Sequence, residues 1–442
     1  MAGDFFSGAR PLPDMPLSLI LDASVLLFDP QAILRFPGQN LYLPLSALAE
    51  LDRARRGQPE TARNARLAAT LIDGLRQRGP LRFGVLLDNG ATLTVVQDEP
   101  QGRHPALELA RAMAANAAPD TQLRLVTRDV ATRLRADALG LDATDYRPEA
   151  TLGTDDIRGW HLLDAEPTHL EAIRQGLDLD ASPHLDWQPN DYAILRDRTR
   201  QSAAVPARFD HQTARLRPLR PLPRAVCGIS PLNLEQTLAL DALLDESISL
   251  VTLAGRAGTG KTLLAIAAGL HQVFAGGPYT KLLVFRPTMP VSRDLGYLPG
   301  DLGDKMRPWM QPVTDALEFI RQQDRRSPAR TLPDDLLAAP EISVEPLTYI
   351  RGRSIPNQFI VIDETQNLTP LEVKTAITRC GRGTKVVLTG DPDQIDTPLL
   401  DAFTNGLART VQKFHSSPLA AHITLQRGER SELAEAAAQL LD

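Results

Sequence analysis

Two cysteines, Cys227 and Cys380, are all that the 442 residues contain. They stand far apart without metal-ligand spacing, which excludes a disulfide framework and a cysteine-based zinc site. Aromatic residues make up only 5%, which argues against a base-stacking platform and against a ring that pulls on polypeptide with aromatic loops. No apolar run reaches about 18 residues, and the N-terminus lacks a basic region followed by an apolar one. Neither a membrane span nor a secretory leader is predicted, so a cytoplasmic protein without membrane contact is expected. Positive charge is not in excess, the formal net charge being −6. That gives no general attraction to nucleic acid, although a basic groove can sit on an acidic protein. What remains is an ordinary globular composition, 43% hydrophobic and 23% charged, long enough for about two or three domains.

The strongest signal is the spacing G-x-x-x-x-G-K-T, with Gly255, Gly260, Lys261 and Thr262 in the named places. Aliphatic and β-branched residues from Ile248 to Ala254 precede it and an Ala-rich helical stretch follows, the strand–loop–helix context of a phosphate-binding loop. Gly255, Arg256, Ala257, Gly258, Thr259, Gly260, Lys261 and Thr262 are therefore predicted to cradle the phosphates of ATP with backbone N–H groups. Lys261 is expected to reach the β- and γ-phosphates and the Thr262 hydroxyl to take a Mg²⁺ position. Upstream, Gln236 carries a carboxamide that is donor and acceptor together, suited to adenine N6 and N7. Downstream, an apolar strand ends in Asp363-Glu364. Asp363 is expected to hold the Mg²⁺ and Glu364 to polarise the attacking water. A further strand ends in Gly390-Asp391-Pro-Asp-Gln394; Gln394 is placed to orient water, and Asp391 to couple γ-phosphate sensing to movement.

The N-terminal third alternates strand and helix, with strands at 17–21, 41–44 and 123–127 and helices at 46–55, 61–78, 105–115 and 130–138. Strands at 81–87 and 92–96 flank the hairpin signal Asp88-Asn-Gly. Such alternation predicts a mainly parallel sheet. Asp22 and Asp129 end two of the strands, and Glu50 lies in the helix after another. Acids at the carboxyl ends of parallel strands converge on one crevice. Carboxylates so crowded repel unless Mg²⁺ or Mn²⁺ joins them, and two such ions can activate water against a phosphodiester. Residues 1–16 read as a flexible tail. Between the halves, Trp187 to Phe209 alternates as two strands about a polar turn. From Arg215 to Arg224, Pro and Arg recur every two or three residues, which reads as a stiff linker.

Several of these stretches resemble known families. Ile20-Leu-Asp22-Ala-Ser-Val-Leu, Ala49-Glu50-Leu-Asp and Leu125-Val-Thr-Arg-Asp129, with Arg133, Ala136, Asp137, Leu139 and Gly140, look like the PIN family of metal-dependent ribonucleases. The resemblance covers roughly residues 17–148. It departs at Gly102 to Ala106, where the family usually places an acid and no Asp stands; Asp98, Glu99 and Glu108 lie to either side. Over about residues 226–442 the chain resembles the PhoH-like ATPases, which have RecA-like cores. The matching stretches are Gly255–Thr262, Arg286-Pro287 through Gly296-Tyr-Leu-Pro-Gly300, Lys305, Pro308, Asp315, Tyr349-Ile-Arg351-Gly-Arg353, Asp363-Glu364-Thr-Gln-Asn367, Gly390–Gln394 and Arg427-Gly-Glu429-Arg430-Ser431. Thr365 replaces the Ala usual in the acidic motif.

A PIN-like domain (17–148), a β-rich connector and linker (149–225) and a PhoH-like ATPase domain (226–442) together look like the PIN–PhoH fusion proteins. That resemblance implies an α/β protein that is an ATP-dependent RNA helicase with ribonuclease activity. The departure near residue 104 opens a second reading, a regulatory ATPase whose PIN-like domain binds RNA without cutting it. One ATPase core per chain predicts a closed ring, a homo-hexamer, in which a neighbour completes each site. Arg430, or else Arg427, is the candidate arginine supplied to that neighbour. Arg286, Ser292, Arg293, Arg351 and Arg353 are expected to grip RNA phosphates. Whether a small antitoxin-like partner controls the PIN-like half is left open by the sequence.

Overall fold

The computed structural model describes residues 17–56, 59–98, 104–116, 122–146, 157–182, 185–200, 202–287, 302–327, 330–336, 338–350, 352–397 and 400–428. The expected tail at 1–16 lies outside the described residues. The chain divides into two compact units, Met1–Ala150 and Thr151–Asp442. Among the described residues no helix is long and apolar enough to cross a membrane.

In the first unit, β1 (Ser18–Leu21), β2 (Asn40–Pro44), β3 (Val85–Leu86), β4 (Thr92–Val96), β5 (Leu123–Thr127) and β6 (Ala143–Asp145) form one sheet. Its order is β3-β4-β2-β1-β5-β6, parallel throughout except for the pair β3–β4. β1 is buried along its whole length, which is why it reads as an unbroken apolar run rather than an alternating one. Helices Leu45–Ala54 and Pro59–Arg76 flank the sheet, and Leu19, Leu21, Leu41, Leu43 and Leu93 meet Ala65 and Ala68 in its core. The expected strand at 81–87 shrinks to β3. A 3₁₀ turn takes Leu81–Phe83 and ends at Gly84, whose φ of +85° turns the chain into the pairing.

The second unit holds two sheets. β7 (Trp160–Ala165), β8 (Leu179–Asp180), β9 (Tyr192–Asp197), β10 (Ala204–Asp210) and β11 (Arg215–Pro218) run in the order β7-β9-β10-β11-β8. The first four residues of the run read as a stiff linker, Arg215–Pro218, are a strand of this sheet. β11 pairs with β10 and β8, and Arg215 and Arg217 reach Asp180, Asp178 and Asp210. The other sheet is wholly parallel. It contains β12 (Leu250–Gly255), β13 (Leu282–Arg286), β14 (Ile342–Pro346), β15 (Phe359–Ile362), β16 (Lys385–Gly390) and β17 (Ala420–Leu425), ordered β14-β13-β15-β16-β12-β17. Arg286, Gly255 and Gly390 end their strands, and Asp363 directly follows β15, so all four lie along the carboxyl edge where ligands of parallel sheets bind.

The smaller sheet docks on the larger one through paired polar groups. Trp160 Nε1 donates to Thr424 O at 2.9 Å, Asn190 Nδ2 to Ala420 O at 2.8 Å and Tyr192 Oη to Asp241 Oδ2 at 2.9 Å. Trp160, Tyr192 and Ile194 share the core of the parallel sheet. At Gly159 (φ +71°) a Cβ would stand 1.6 Å from His422 O, so only glycine permits this approach.

Behind that junction lies Lys385, fully buried. Its Nζ donates to the carbonyls of Ala242, Asp245 and Ile248 at 2.9, 2.7 and 2.9 Å. Lys385→Met would take this donor from the buried carbonyls of Ala242 and Ile248, while Asp245 O keeps the backbone N–H of Ile248 at 3.2 Å, so a loss of about 2–4 kcal/mol is expected by urea denaturation. Asp245 is a second test. Burial raises its carboxyl, but hydrogen bonds from Arg208 and Ser247 prevail and bring it down to about 2. Because the folded value lies below the ordinary 3.8, the stabilisation is complete above that value and is lost as pH falls toward 2. Between about pH 5 and 3 the urea midpoint of the wild type should fall more than that of Asp245→Asn.

Candidate functional site: a phosphate loop and an acidic pair

β12 delivers the chain to Gly255, where a Cβ would lie 2.2 Å from Leu425 O. The loop turns through Gly258 and then Gly260, in the left-handed region at φ +90°, and the helix Lys261–Phe274 begins. Lys261 is 8% exposed, with Nζ donating to Gly255 O at 2.6 Å and Arg256 O at 2.8 Å. Thr262 Oγ1 donates to Asp363 Oδ1 at 2.8 Å, and Thr389 Oγ1 donates to the same oxygen at 2.6 Å. Burial first, then the adjacent Glu364, pushes the Asp363 carboxyl up against these two hydrogen bonds. A buried carboxylate beside a hydroxyl is a hard-oxygen donor set that suits Mg²⁺, and the cation's charge would favour the ionised form.

Glu364 stands in the left-handed region at φ +54°, uncommon for a residue with a Cβ. Both its oxygens are engaged: Arg286 Nη2 donates to Oε1 at 2.9 Å and Gln366 Nε2 to Oε2 at 2.7 Å. Gln366, fully buried, also donates to Gln394 O at 2.9 Å and accepts from Asp391 N at 3.2 Å. Asp391 Oδ2 in turn accepts from Ala257 N at 2.8 Å. A continuous chain of hydrogen bonds thus runs from Glu364 through Gln366 and Asp391 to the phosphate loop.

In the first unit the acids are placed differently from expectation. Asp22 follows β1 and accepts from Ser24 and from Thr127 Oγ1, the latter at 2.8 Å. Burial, then Asp22 and Asp98, push the Glu50 carboxyl up. Asp98 accepts from Ser46 N at 3.0 Å and from the Ser46 hydroxyl. Asp129 is turned to other work. It caps the helix Val130–Ala138, accepting from Thr132 Oγ1 at 2.6 Å and Ala131 N at 3.0 Å. The Thr132 hydrogen bond is the main reason that its carboxyl is held low. Among the described residues no three His, Cys, Asp or Glu side chains group as a metal site. Of the expected trio, Asp22 and Glu50 approach each other together with Asp98, and the Asp129 carboxylate caps its own helix. Glu108 instead pairs with Arg111 at 3.2 Å on an exposed helix face.

The PhoH-like protein model matches residues 228–442 and the PIN domain model residues 19–147. Protein PhoH2 of Bacillus subtilis (strain 168) is 41% identical over 96% of this chain and 99% of its own. The chain belongs to the PIN–PhoH fusion family. Protein PhoH2 of Mycolicibacterium smegmatis is 36% identical over 96% of both chains. The Pif1 helicase of Candida albicans is 18% identical over 48% of this chain and 44% of its own, at a TM-score of 0.25, too slight a likeness to bear on the fold. The loop Gly255–Thr262 belongs to an ATP-binding, P-loop ATPase domain.

Within this PIN–PhoH chain the loop, Thr262, Asp363, Glu364 and Asp391 come together at one edge. Other expected residues are placed variously. Gln236 is 4% exposed; its Nε2 donates to Thr259 O at 3.1 Å and its Oε1 accepts from Leu232 N at 2.8 Å. The carboxamide thereby braces the loop. The Gln394 side chain is exposed, and its backbone oxygen is what Gln366 holds. Arg256 is open to solvent beside Asp393, 3.6 Å away. Arg286 sits on the acidic pair, and Arg353 Nη1 donates to Glu345 Oε2 at 2.6 Å. Arg427 is exposed and its backbone N–H donates to Glu235. Ser292, Arg293, Arg351 and Arg430 lie outside the described residues. Sequence reading gave no role to Gln366 or Thr389. The signal for Thr389 was a lone hydroxyl in a strand buried from end to end; for Gln366 it was a fully polar side chain just after the acidic pair.

Proposed function

We propose that this PIN–PhoH protein hydrolyses ATP with Mg²⁺ to remodel RNA, as a helicase acting within a cytoplasmic homo-hexameric ring. The observation that carries the reading is the chain of hydrogen bonds from Ala257 through Asp391 and Gln366 to Glu364. It gives the phosphate loop a direct route to the residue that would polarise water. Thr262 and Asp363 would hold the Mg²⁺, which supplies charge neutralisation between the β- and γ-phosphates. With one ATPase core per chain, head-to-tail closure lets a neighbour's arginine, Arg430 or Arg427, complete each site. The test is steady-state ATP turnover with and without single-stranded RNA. Turnover should rise with RNA, and the rise should fade steeply as salt is raised, since phosphate contacts release counterions.

The PIN-like domain holds RNA in this reading. A second reading, that it cuts RNA with Mg²⁺ or Mn²⁺, is favoured by the crowding of Asp22 and Asp98 about the Glu50 carboxyl, the situation that a cation relieves. The two differ in one assay. A labelled RNA should stay intact with the wild type in either ion; cleavage that disappears in Asp22→Asn but persists in Lys261→Ala would establish the second reading.

A further inference from the structure

The general base of a hydrolysis needs a lone pair aimed at water. On Glu364 each carboxylate oxygen accepts one hydrogen bond, Oε1 from Arg286 at 2.9 Å and Oε2 from Gln366 at 2.7 Å, and the two donors fix where the remaining lone pairs point. The Gln366 contact is local, two residues along the chain, whereas the Arg286 contact is made by the fold. Arg286 ends β13, and the parallel register Phe285↔Ile362 brings that end beside the residues that follow β15. The guanidinium also lies 3.6 Å from Asp363 Oδ2. The left-handed backbone at Glu364 fixes the carboxylate between its two donors. We propose that Arg286 is a positioning residue which, together with Gln366, clamps Glu364 away from the attacking water and restrains hydrolysis. An RNA phosphodiester releases the clamp by taking the guanidinium.

The chemistry of exchange is favourable. The planar fork of arginine fits two phosphate oxygens as well as it fits a carboxylate. The Arg286 side chain is 17% exposed and that of Glu364 33%, so the pair meets solvent along one edge. Loss of Arg286 would free one oxygen of Glu364 while Gln366 kept the other, leaving the carboxylate tethered to the Asp391 link. The release step rests on the RNA reading proposed above; the clamp itself does not.

The experiment is steady-state ATP hydrolysis by the full chain, with and without a poly(U) oligonucleotide, for wild type, Arg286→Ala and Arg286→Lys. Arg286→Ala should raise the RNA-free kcat on the order of tenfold, leave the KM for ATP in place and flatten the response to RNA. Arg286→Lys keeps the charge without the fork and should fall between the two. It also supplies the test if the alanine variant is not recovered folded. An RNA-free kcat at or below the wild-type value in these variants overturns the clamp. Wild-type turnover indifferent to RNA overturns the RNA reading instead, and the RNA-free rates still decide on the clamp.

Discussion

Lys261→Ala should lower ATP turnover by about 10²–10³-fold, the cost of removing a preorganised donor from a charge-stabilising site. The lysine is 8% exposed and its ammonium lies between the carbonyls of Gly255 and Arg256. In that dry mouth a single positive charge acts on phosphate oxygens far more strongly than it would in water. Arg256, the other cation of the loop, points into solvent. The fold should tolerate the change at a cost of about 1–3 kcal/mol, because the carbonyls that lose a donor are only that of Gly255, at the buried end of β12, and that of Arg256 in the loop. Phosphate release at saturating ATP checks the first statement and thermal melting the second. Turnover within a few-fold of wild type would remove Lys261 from the reaction.

Glu364→Gln should lower hydrolysis by about 10²–10⁴-fold, the range assigned to general-base catalysis, while ATP still binds. The amide is isosteric and keeps an oxygen for Arg286, while its NH2 loses the hydrogen bond that Gln366 Nε2 gives the carboxylate. Thr262, Asp363 and Lys261 are untouched, and they carry the metal and phosphate contacts. The variant should therefore trap ATP: slow single-turnover hydrolysis with a dissociation constant near that of the wild type. A loss of binding equal to the loss of rate would mean that Glu364 supports the loop rather than the water.

These residues were legible because the chemistry demands them close together in the chain. A phosphate loop is one strand, one turn and one helix start, and the acidic pair is one strand end. Arg286 and Gln366 were not legible in their roles. Arg286 meets Glu364 because β13 lies beside β15 in a particular register, which spacing along the chain does not carry. Gln366 reaches it from two residues away and takes its role from its further bonds to Gln394 and Asp391. The first unit shows the opposite failure. The alternation of strand and helix could be read directly, and β1, β2 and β5 stand where expected. Yet an Asp between a strand and a helix has two possible employments, ligand and N-cap, and Asp129 takes the second. Asp98 was noticed only as a neighbour of the missing acid, and its approach to Glu50 comes from the end of β4 lying beside β2. Within the run at 215–224, proline and arginine give no sign that its first four residues form a strand, whose Arg215 and Arg217 pair with Asp180, Asp178 and Asp210.

The most direct measurement is ATP turnover by the full chain as single-stranded RNA is titrated in, with Lys261→Ala beside it. A saturating rise with RNA, absent in Lys261→Ala and weakened by salt, is the predicted result. Turnover that stays flat across the titration would contradict the coupling of this ATPase to RNA.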